Sequence, residues 1–239
     1  MNKLAVRSVV ALAFAAISLA ASAADATTAT VYAVPDTSGA WTARLVAPTP
    51  VASAPGGTRI AALQPLTPAT GSSVTLLVLG SAEQHGNLWL RVRLPQRPNG
   101  ASGWIRRDNA VLARTPYRIV VSTRQRLLTL YRAGGVALQT QVVVGAPTTP
   151  TPSGVFAIYD IVPVPASTLA PYELQLTAHS DALRTFDGGD GRVALHGMNG
   201  PLRVPLGTAR SHGCVRLLPA TAALLARVVP LGSPVAIRP

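Results

Sequence analysis

From about Arg44 onward the chain runs as short apolar stretches cut every few positions by proline or glycine. Several of them alternate apolar with polar residues, a two-residue period that sends successive side chains to opposite faces and so predicts strands rather than helices. Val74–Leu79 reads as a strand ended by Gly80, and Leu88–Leu94 alternates up to Pro95. Pro98-Asn99-Gly100 supplies a turn, after which Gly103-Trp104-Ile105 opens another short strand. Past Tyr117 a β-meander is expected from Arg118–Ser122, Arg126–Arg132 and Leu138–Val144, with Ala133-Gly134-Gly135 as its turn. Val155–Tyr159, Arg192–Leu195 and Val235–Ile237 are further strand candidates. The one good helix covers Ala220–Arg227, with Pro219 near its first turn and Arg227 in its last. Val162–Gly191 is rich in Pro, Gly and Asp and reads as irregular except at Glu173–Thr177; its length and its place before His196 suit a lid over a site.

The 21 prolines and 20 glycines, with 5% aromatic residues, support the same mainly β reading. A chain of 239 residues, 48% of them hydrophobic, has room for two small domains at roughly 100–150 residues each. The expected division is a secretory signal at 1–23, a flexible leader at 24–43, a small barrel at 44–113 and a second domain at 116–239. The signal rests on Lys3 and Arg7, an apolar stretch from Val9 to Ala20, and the small residues Ala21-Ser22-Ala23. A retained anchor is the rival reading, but that apolar run falls short of the ~20 residues a bilayer needs. The mature chain is therefore expected outside the cytoplasmic membrane, in the periplasm or cell wall, without a membrane span and as a monomer.

Net charge falls from +12 to +10 once Lys3 and Arg7 leave. An acidic cell-wall polymer suits such a balance, and so does a merely solvated surface. Nucleic acid is not expected, because the arginines are scattered without interleaved aromatics.

An exported protein with a single cysteine cannot close an internal disulfide, so Cys214 needs a use or a burial. In Ser211-His212-Gly213-Cys214-Val215-Arg216 the thiol stands two residues from an imidazole, and His196-Gly197 lies 18 positions upstream. An imidazole beside a thiol accepts its proton or stabilises the thiolate as an ion pair. Residues i and i+2 of an extended backbone share a face, so His212 and Cys214 are expected to point into one site, with the Gly213 N–H accessible at an oxyanion corner. His196 ends the strand Arg192–Leu195, and a base held by a neighbouring carbonyl would complete a triad without an acid. The competing readings are a buried structural cysteine, a zinc site of His196, His212 and Cys214 lacking a fourth ligand, and Arg216 as a surface charge. His85 and His179 read as structural or surface residues.

The motif Ser211-His212-Gly213-Cys214-Val215-Arg216 with His196-Gly197 resembles the signature of L,D-transpeptidase (YkuD-like) catalytic domains. The resemblance runs from Tyr117 to Arg238, and Thr151-Pro152-Ser153-Gly154 is similar to the family's T-P-x-G loop, as are His179-Ser180 and Gly188-Gly189-Asp190-Gly191 to its later positions. Met198 departs from the family, where Thr often precedes an asparagine such as Asn199. The resemblance implies a β-sandwich-like catalytic domain with one or two short helices. It also implies acyl transfer on peptidoglycan stem peptides through a Cys214 thioester, giving 3→3 cross-links without metal or organic cofactor. It assigns nucleophile and base to Cys214 and His196, orientation of the base to Gly197, and the oxyanion site to His212 and Gly213. Substrate contacts fall to Arg216, Ser211 and Asn199. An L,D-carboxypeptidase using the same nucleophile, and a wall-binding protein with a degenerate catalytic domain, are the alternatives. Upstream, Trp89-Leu90-Arg91-Val92 and Gly103-Trp104-Ile105 resemble a bacterial SH3-like domain over Pro50–Leu112. Trp89 and Trp104 would bind wall polymer there, or fill the barrel core, which is the reading that apolar aromatics in strands favour.

Overall fold

Two large sheets take up the alternating runs in the computed structural model, which describes residues 35–36, 38–164, 171–199 and 204–239. The expected signal at 1–23 and most of the leader lie outside the described residues. The leader, expected to reach residue 43, ends sooner: β1 (Ala40–Leu45) starts at Ala40. Its small residues Ala40, Thr42 and Ala43 are buried, and the strand pairs on both sides, with two later strands.

The N-terminal unit continues with β2 (Thr49–Ala52), β3 (Arg59–Leu63), β4 (Thr75–Gln84), β5 (Asn87–Arg93), β6 (Ser102–Arg106) and β7 (Ala110–Thr115). They form one sheet in the order β3-β2-β6-β5-β4-β1-β7. β4 does not stop at Gly80. A register shift between Val78 and Gly80 absorbs the glycine as an irregularity, and pairing with β5 continues to Gln84. Leu76, Val78, Leu90, Val92 and Ile105 fill the core of this unit. Trp89 and Trp104 are only half-buried and stand outside that core, contrary to expectation. The reason is the period: Leu90 and Ile105 point inward, so their neighbours Trp89 and Trp104 take the opposite face, beside Arg91 and Arg106.

The C-terminal unit holds β8 (Tyr117–Ser122), β9 (Leu127–Arg132), β10 (Gly135–Gln141), β11 (Val144–Gly145), β12 (Gly154–Pro163), β13 (Tyr172–His179), β14 (Arg192–Gly197), β15 (Ala209–Ser211), β16 (Val215–Leu217), α1 (Pro219–Val228) and β17 (Pro234–Arg238). Eight strands pair in the order β10-β9-β8-β17-β12-β13-β14-β16, and β11 pairs with β15. The fold is mainly β, with α1 as the one α-helix among the described residues. The strand expected over Leu138–Val144 divides: β10 stops at Gln141, buried Val142 and Val143 turn inward, and β11 pairs elsewhere. Glu173–Thr177 proves to be the middle of an eight-residue strand, β13, rather than a short island of order. Leu174, Leu176 and Ala178 join Phe156, Ile158, Val193, Leu195, Val215 and Leu217 in the core, where α1 adds Ala222 and Leu225. Burial of each such large side chain contributes about 1.5–3 kcal/mol.

The units touch at several points. Ala40 and Leu77 pack against Ala157, Thr115 Oγ1 lies 2.9 Å from Ser233 Oγ, and Thr70 Oγ1 donates to Asp160 Oδ1 at 2.7 Å. No helix among the described residues is long and apolar enough to cross a membrane.

Candidate active site

Alternation along three neighbouring strands builds one face of a cavity. Leu174, Val193, Leu195, Val215 and Leu217 face the core, so Glu173 and Gln175 on β13, His196 on β14 and Arg216 on β16 are left for the other side. Register places Glu173 opposite His196, and His196 opposite Arg216 on the parallel strand β16. Cys214 precedes β16, two residues before Arg216, and opens on the same cavity of about 860 Å³. His212 reaches it from the turn before Cys214.

The imidazole of His196 is buried, with Nδ1 2.8 Å from the Gly197 carbonyl oxygen. Burial pulls this histidine down to about 4, against the Gly197 carbonyl, which favours the charged form. Burial likewise pushes the Cys214 thiol up to about 11, although the Ala194 N–H, 3.4 Å from Sγ, works in the other direction. Both shifts act in the direction of the uncharged forms, thiol and neutral imidazole, at neutral pH. Burial also raises the Glu173 carboxyl, opposed by the Gln175 amide 3.3 Å away.

Not every residue expected at the site lines the cavity. Ser211 is buried and braces the turn: its hydroxyl donates to the Cys214 carbonyl at 2.5 Å and accepts from the Gly213 N–H at 3.2 Å. The Gly213 N–H is thus engaged inside the turn instead of standing accessible, and Ser211 serves the backbone rather than the cavity. Gly197 and Asn199 are likewise absent from the described lining, Gly197 meeting it only through His196. Among the described residues no group of three or more His, Cys, Asp or Glu side chains is arranged to hold a metal ion.

Further residues, most of which the sequence did not single out, complete the walls. Tyr159 and Asp160 come from β12, whose register shifts between Ile158 and Asp160 and lets neighbouring positions both reach the cavity. Phe186 lies tilted over His212, with ring centroids 5.1 Å apart. Asp190 and Arg192 follow it, and Pro68 and Ala69 arrive from the N-terminal unit. His179 does not line the cavity, but its Nε2 lies 3.1 Å from Asp190 Oδ2, and Arg192 Nη2 lies 3.0 Å from the same oxygen. Phe186 was detectable as the one aromatic residue of the Gly- and Asp-rich stretch from Asp181 to Gly191. Pro68 and Ala69 carried no signal, because only the packing of the units brings them here.

The family profile described as the YkuD L,D-transpeptidase catalytic domain matches residues 116–237. The chain belongs to that family. A Bacillus licheniformis protein bearing the name L,D-transpeptidase YkuD is 33% identical over 124 residues, covering 52% of this chain and 67% of its own length. A crystallised mutant of the Enterococcus faecium L,D-transpeptidase is 26% identical over 51% of this chain, with a TM-score of 0.39. The Mycobacterium smegmatis L,D-transpeptidase is 18% identical over 64% of this chain and 91% of that one, with a TM-score of 0.42. This chain spans about half the length, 49%, of the E. faecium chain. The YkuD match begins at Pro116 and so takes in the C-terminal unit alone.

Proposed function

We propose that this protein is an exported peptidoglycan L,D-transpeptidase that works through Cys214 and forms 3→3 cross-links. The observation that carries the reading is the sharing of one cavity by Cys214, His196 and Arg216, with His196 held at Nδ1 by Gly197. His196 takes the thiol proton as Sγ attacks the carbonyl carbon of the third residue of a stem tetrapeptide. The C–N bond to the terminal D-alanine breaks, its amine leaves with the proton from His196, and a thioester remains. An amine on a second stem attacks that thioester, passes its proton through His196, and releases the Cys214 thiol with a new amide bond. The backbone of Gly213 and Cys214 beside His212 stabilises the oxyanion; the Gly213 N–H exchanges its Ser211 acceptor for the developing charge. Arg216 holds a substrate carboxylate as a fixed cation.

The N-terminal unit, read as SH3-like, binds acidic wall polymer. The half-buried Trp89 and Trp104, lying beside Arg91 and Arg106 outside the core, support this. The Arg106 guanidinium sits 5.9 Å above the Trp89 ring.

Intact mass after incubation with a carbapenem tests the nucleophile, and tetrapeptide stems test the reaction. One covalent adduct on the native protein and none on Cys214→Ala is the expected result. No adduct on folded native protein overturns the reading. Dimeric stems as products support transfer; tripeptides alone would replace it with L,D-carboxypeptidase action.

A further inference from the structure

The loop from Ser180 to Gly191 walls the cavity at Phe186, yet it has little to hold it there. From Asp181 to Asp190 every residue but Leu183 is exposed, and Phe186 itself is 49% exposed. A segment with so little buried apolar surface opens readily unless polar contacts fix it. Within the loop, the Ser180 N–H donates to the Gly191 carbonyl at 2.8 Å to close the neck, and Phe186 and Gly189 bond each other's backbone at the tip. Gly191 has φ +72°, and a Cβ there would come within 2.2 Å of the Leu183 oxygen, so the neck needs glycine.

The Leu183 N–H donates to Ser180 Oγ at 3.0 Å, and Asp190 is tied to His179 and Arg192 of the same unit. The ties that gather the whole loop come from the other unit. In the turn joining β5 to β6, Arg97 donates from Nη1 to the Ser180 carbonyl at 2.7 Å, and from Nη2 to the carbonyls of Leu183 and Asp190, each at 3.1 Å. One guanidinium thus gathers the start, the middle and the end of the loop. Asn99 bonds His179 as a neighbouring strand would: Nδ2 donates to its carbonyl at 2.6 Å and Oδ1 accepts its N–H at 2.8 Å. Nδ2 also lies 3.0 Å from Asp181 Oδ1. The Pro95 carbonyl accepts from Arg192 at 3.3 Å. Planar, forked donors of this kind lose little freedom for each bond they form, so they set position well.

We propose that Arg97 and Asn99 of the N-terminal unit are positioning residues for the active site, holding the Ser180–Gly191 loop so that Phe186 stands over His212 beside Cys214. The N-terminal unit is then part of the machinery for acyl-donor binding, whatever else it binds. Only the kinetic half of this inference rests on the reading of Cys214 as the acylated group.

The test uses full-length protein with Arg97→Ala and, because that change removes three bonds at once, the milder Asn99→Asp. Asn99→Asp keeps the volume and one acceptor but cannot donate to the His179 carbonyl. Backbone amide exchange at Leu183, Phe186 and Gly189 is expected to rise about tenfold or more in both variants, with the amides of β8 and β9 unchanged. Cys214 acylation by a carbapenem in a single turnover is expected to slow roughly ten- to a hundredfold. In a Phe186→Ala background, Arg97→Ala should then add less than about twofold, since its effect passes through Phe186. Unchanged exchange in the loop overturns the proposal. So does faster exchange with unaltered acylation, or an Arg97→Ala effect that persists in full without Phe186. Native protein that fails to acylate at all sinks the nucleophile reading instead, and the exchange measurement still decides whether the turn holds the loop.

Discussion

The Nδ1 atom of His196 lies 2.8 Å from the Gly197 carbonyl oxygen, and a carbonyl only accepts. Nδ1 therefore carries the proton and Nε2 is the basic nitrogen. Gly197 fixes the tautomer without any acidic partner, as the residue itself continues the strand that carries His196.

With His196 near 4 and the thiol near 11, the neutral pair dominates the range between them. Carbapenem acylation of Cys214 should run almost flat from about pH 5.5 to 8.5, its acid limb lying well below the ordinary histidine value of ~6.5. A limb centred near 6.5, or thiolate ultraviolet absorbance at neutral pH that Cys214→Ala removes, would show a preformed ion pair instead.

Stability should follow the same group. Unfolded, His196 binds its proton near 6.5; folded, it refuses it down to about 4, so the unfolded state holds more protons in that window. This contribution is fully present above about pH 6.5 and is lost as pH falls toward 4, by up to roughly 3 kcal/mol. Denaturant unfolding of the native protein and of His196→Gln at pH 7.5 and 4.5 checks it: the variant should lose less stability on acidification.

Arg216 is buried at the end of the row Glu173, His196, Arg216, and its charge cannot reorganise cheaply. Removing a charge-assisted contact to substrate costs about 1.5–3 kcal/mol, so Arg216→Ala should lower kcat/KM for a tetrapeptide stem by roughly ten- to a hundredfold. Acylation by a small reagent lacking the carboxylate should change far less; equal losses with both would remove Arg216 from substrate binding.

Gly145 backs the Thr151–Gly154 loop: its N–H donates to Thr151 Oγ1 at 2.8 Å. A Cβ there would meet the Thr149 oxygen at 2.3 Å and the Thr151 nitrogen at 2.4 Å, both backbone atoms that cannot swing aside. Gly145→Ala is expected to destabilise the protein by about 1–3 kcal/mol, read as a lower thermal midpoint. An unchanged midpoint would mean that this loop is softer than its contacts suggest.

Trp89 and Trp104 lie outside the core, so replacing both with alanine should cost little stability while weakening co-sedimentation with peptidoglycan sacculi. Loss of folding in that variant, with binding unaltered in whatever remains folded, would return them to a structural role.

The chemistry-bearing stretch and the strands around it were legible along the chain, because both are local. His212, Cys214 and Arg216 lie within five residues of one another, so the bend before β16 and the first residues of that strand bring all three to one cavity. Arg118–Ser122, Arg192–Leu195 and Val235–Ile237 alternate or run apolar between clear breaks, and all fall within observed strands. β13 was only half visible: its core positions alternate with Glu173 and Gln175, which turn to the cavity and weaken the apolar signal. Trp89 and Trp104 stand outside the core although they are apolar, since hydrophobicity names a tendency to be buried while the strand's period decides which face a residue takes.

The sequence by itself determined that the chain is mainly β and that a thiol, two imidazoles and an arginine lie within reach of one another in its second half. Those properties depend on composition, period and spacing, which folding only expresses. Tertiary structure alone decided that His196 stands opposite Glu173 and Arg216, that burial shifts Cys214 and His196 toward their uncharged forms, and that Ser211 faces the backbone of its own turn. It alone decided, too, that Arg97 reaches the loop at Ser180, more than eighty positions away. Desolvation and register arise from which strands pack together, and no local pattern encodes them.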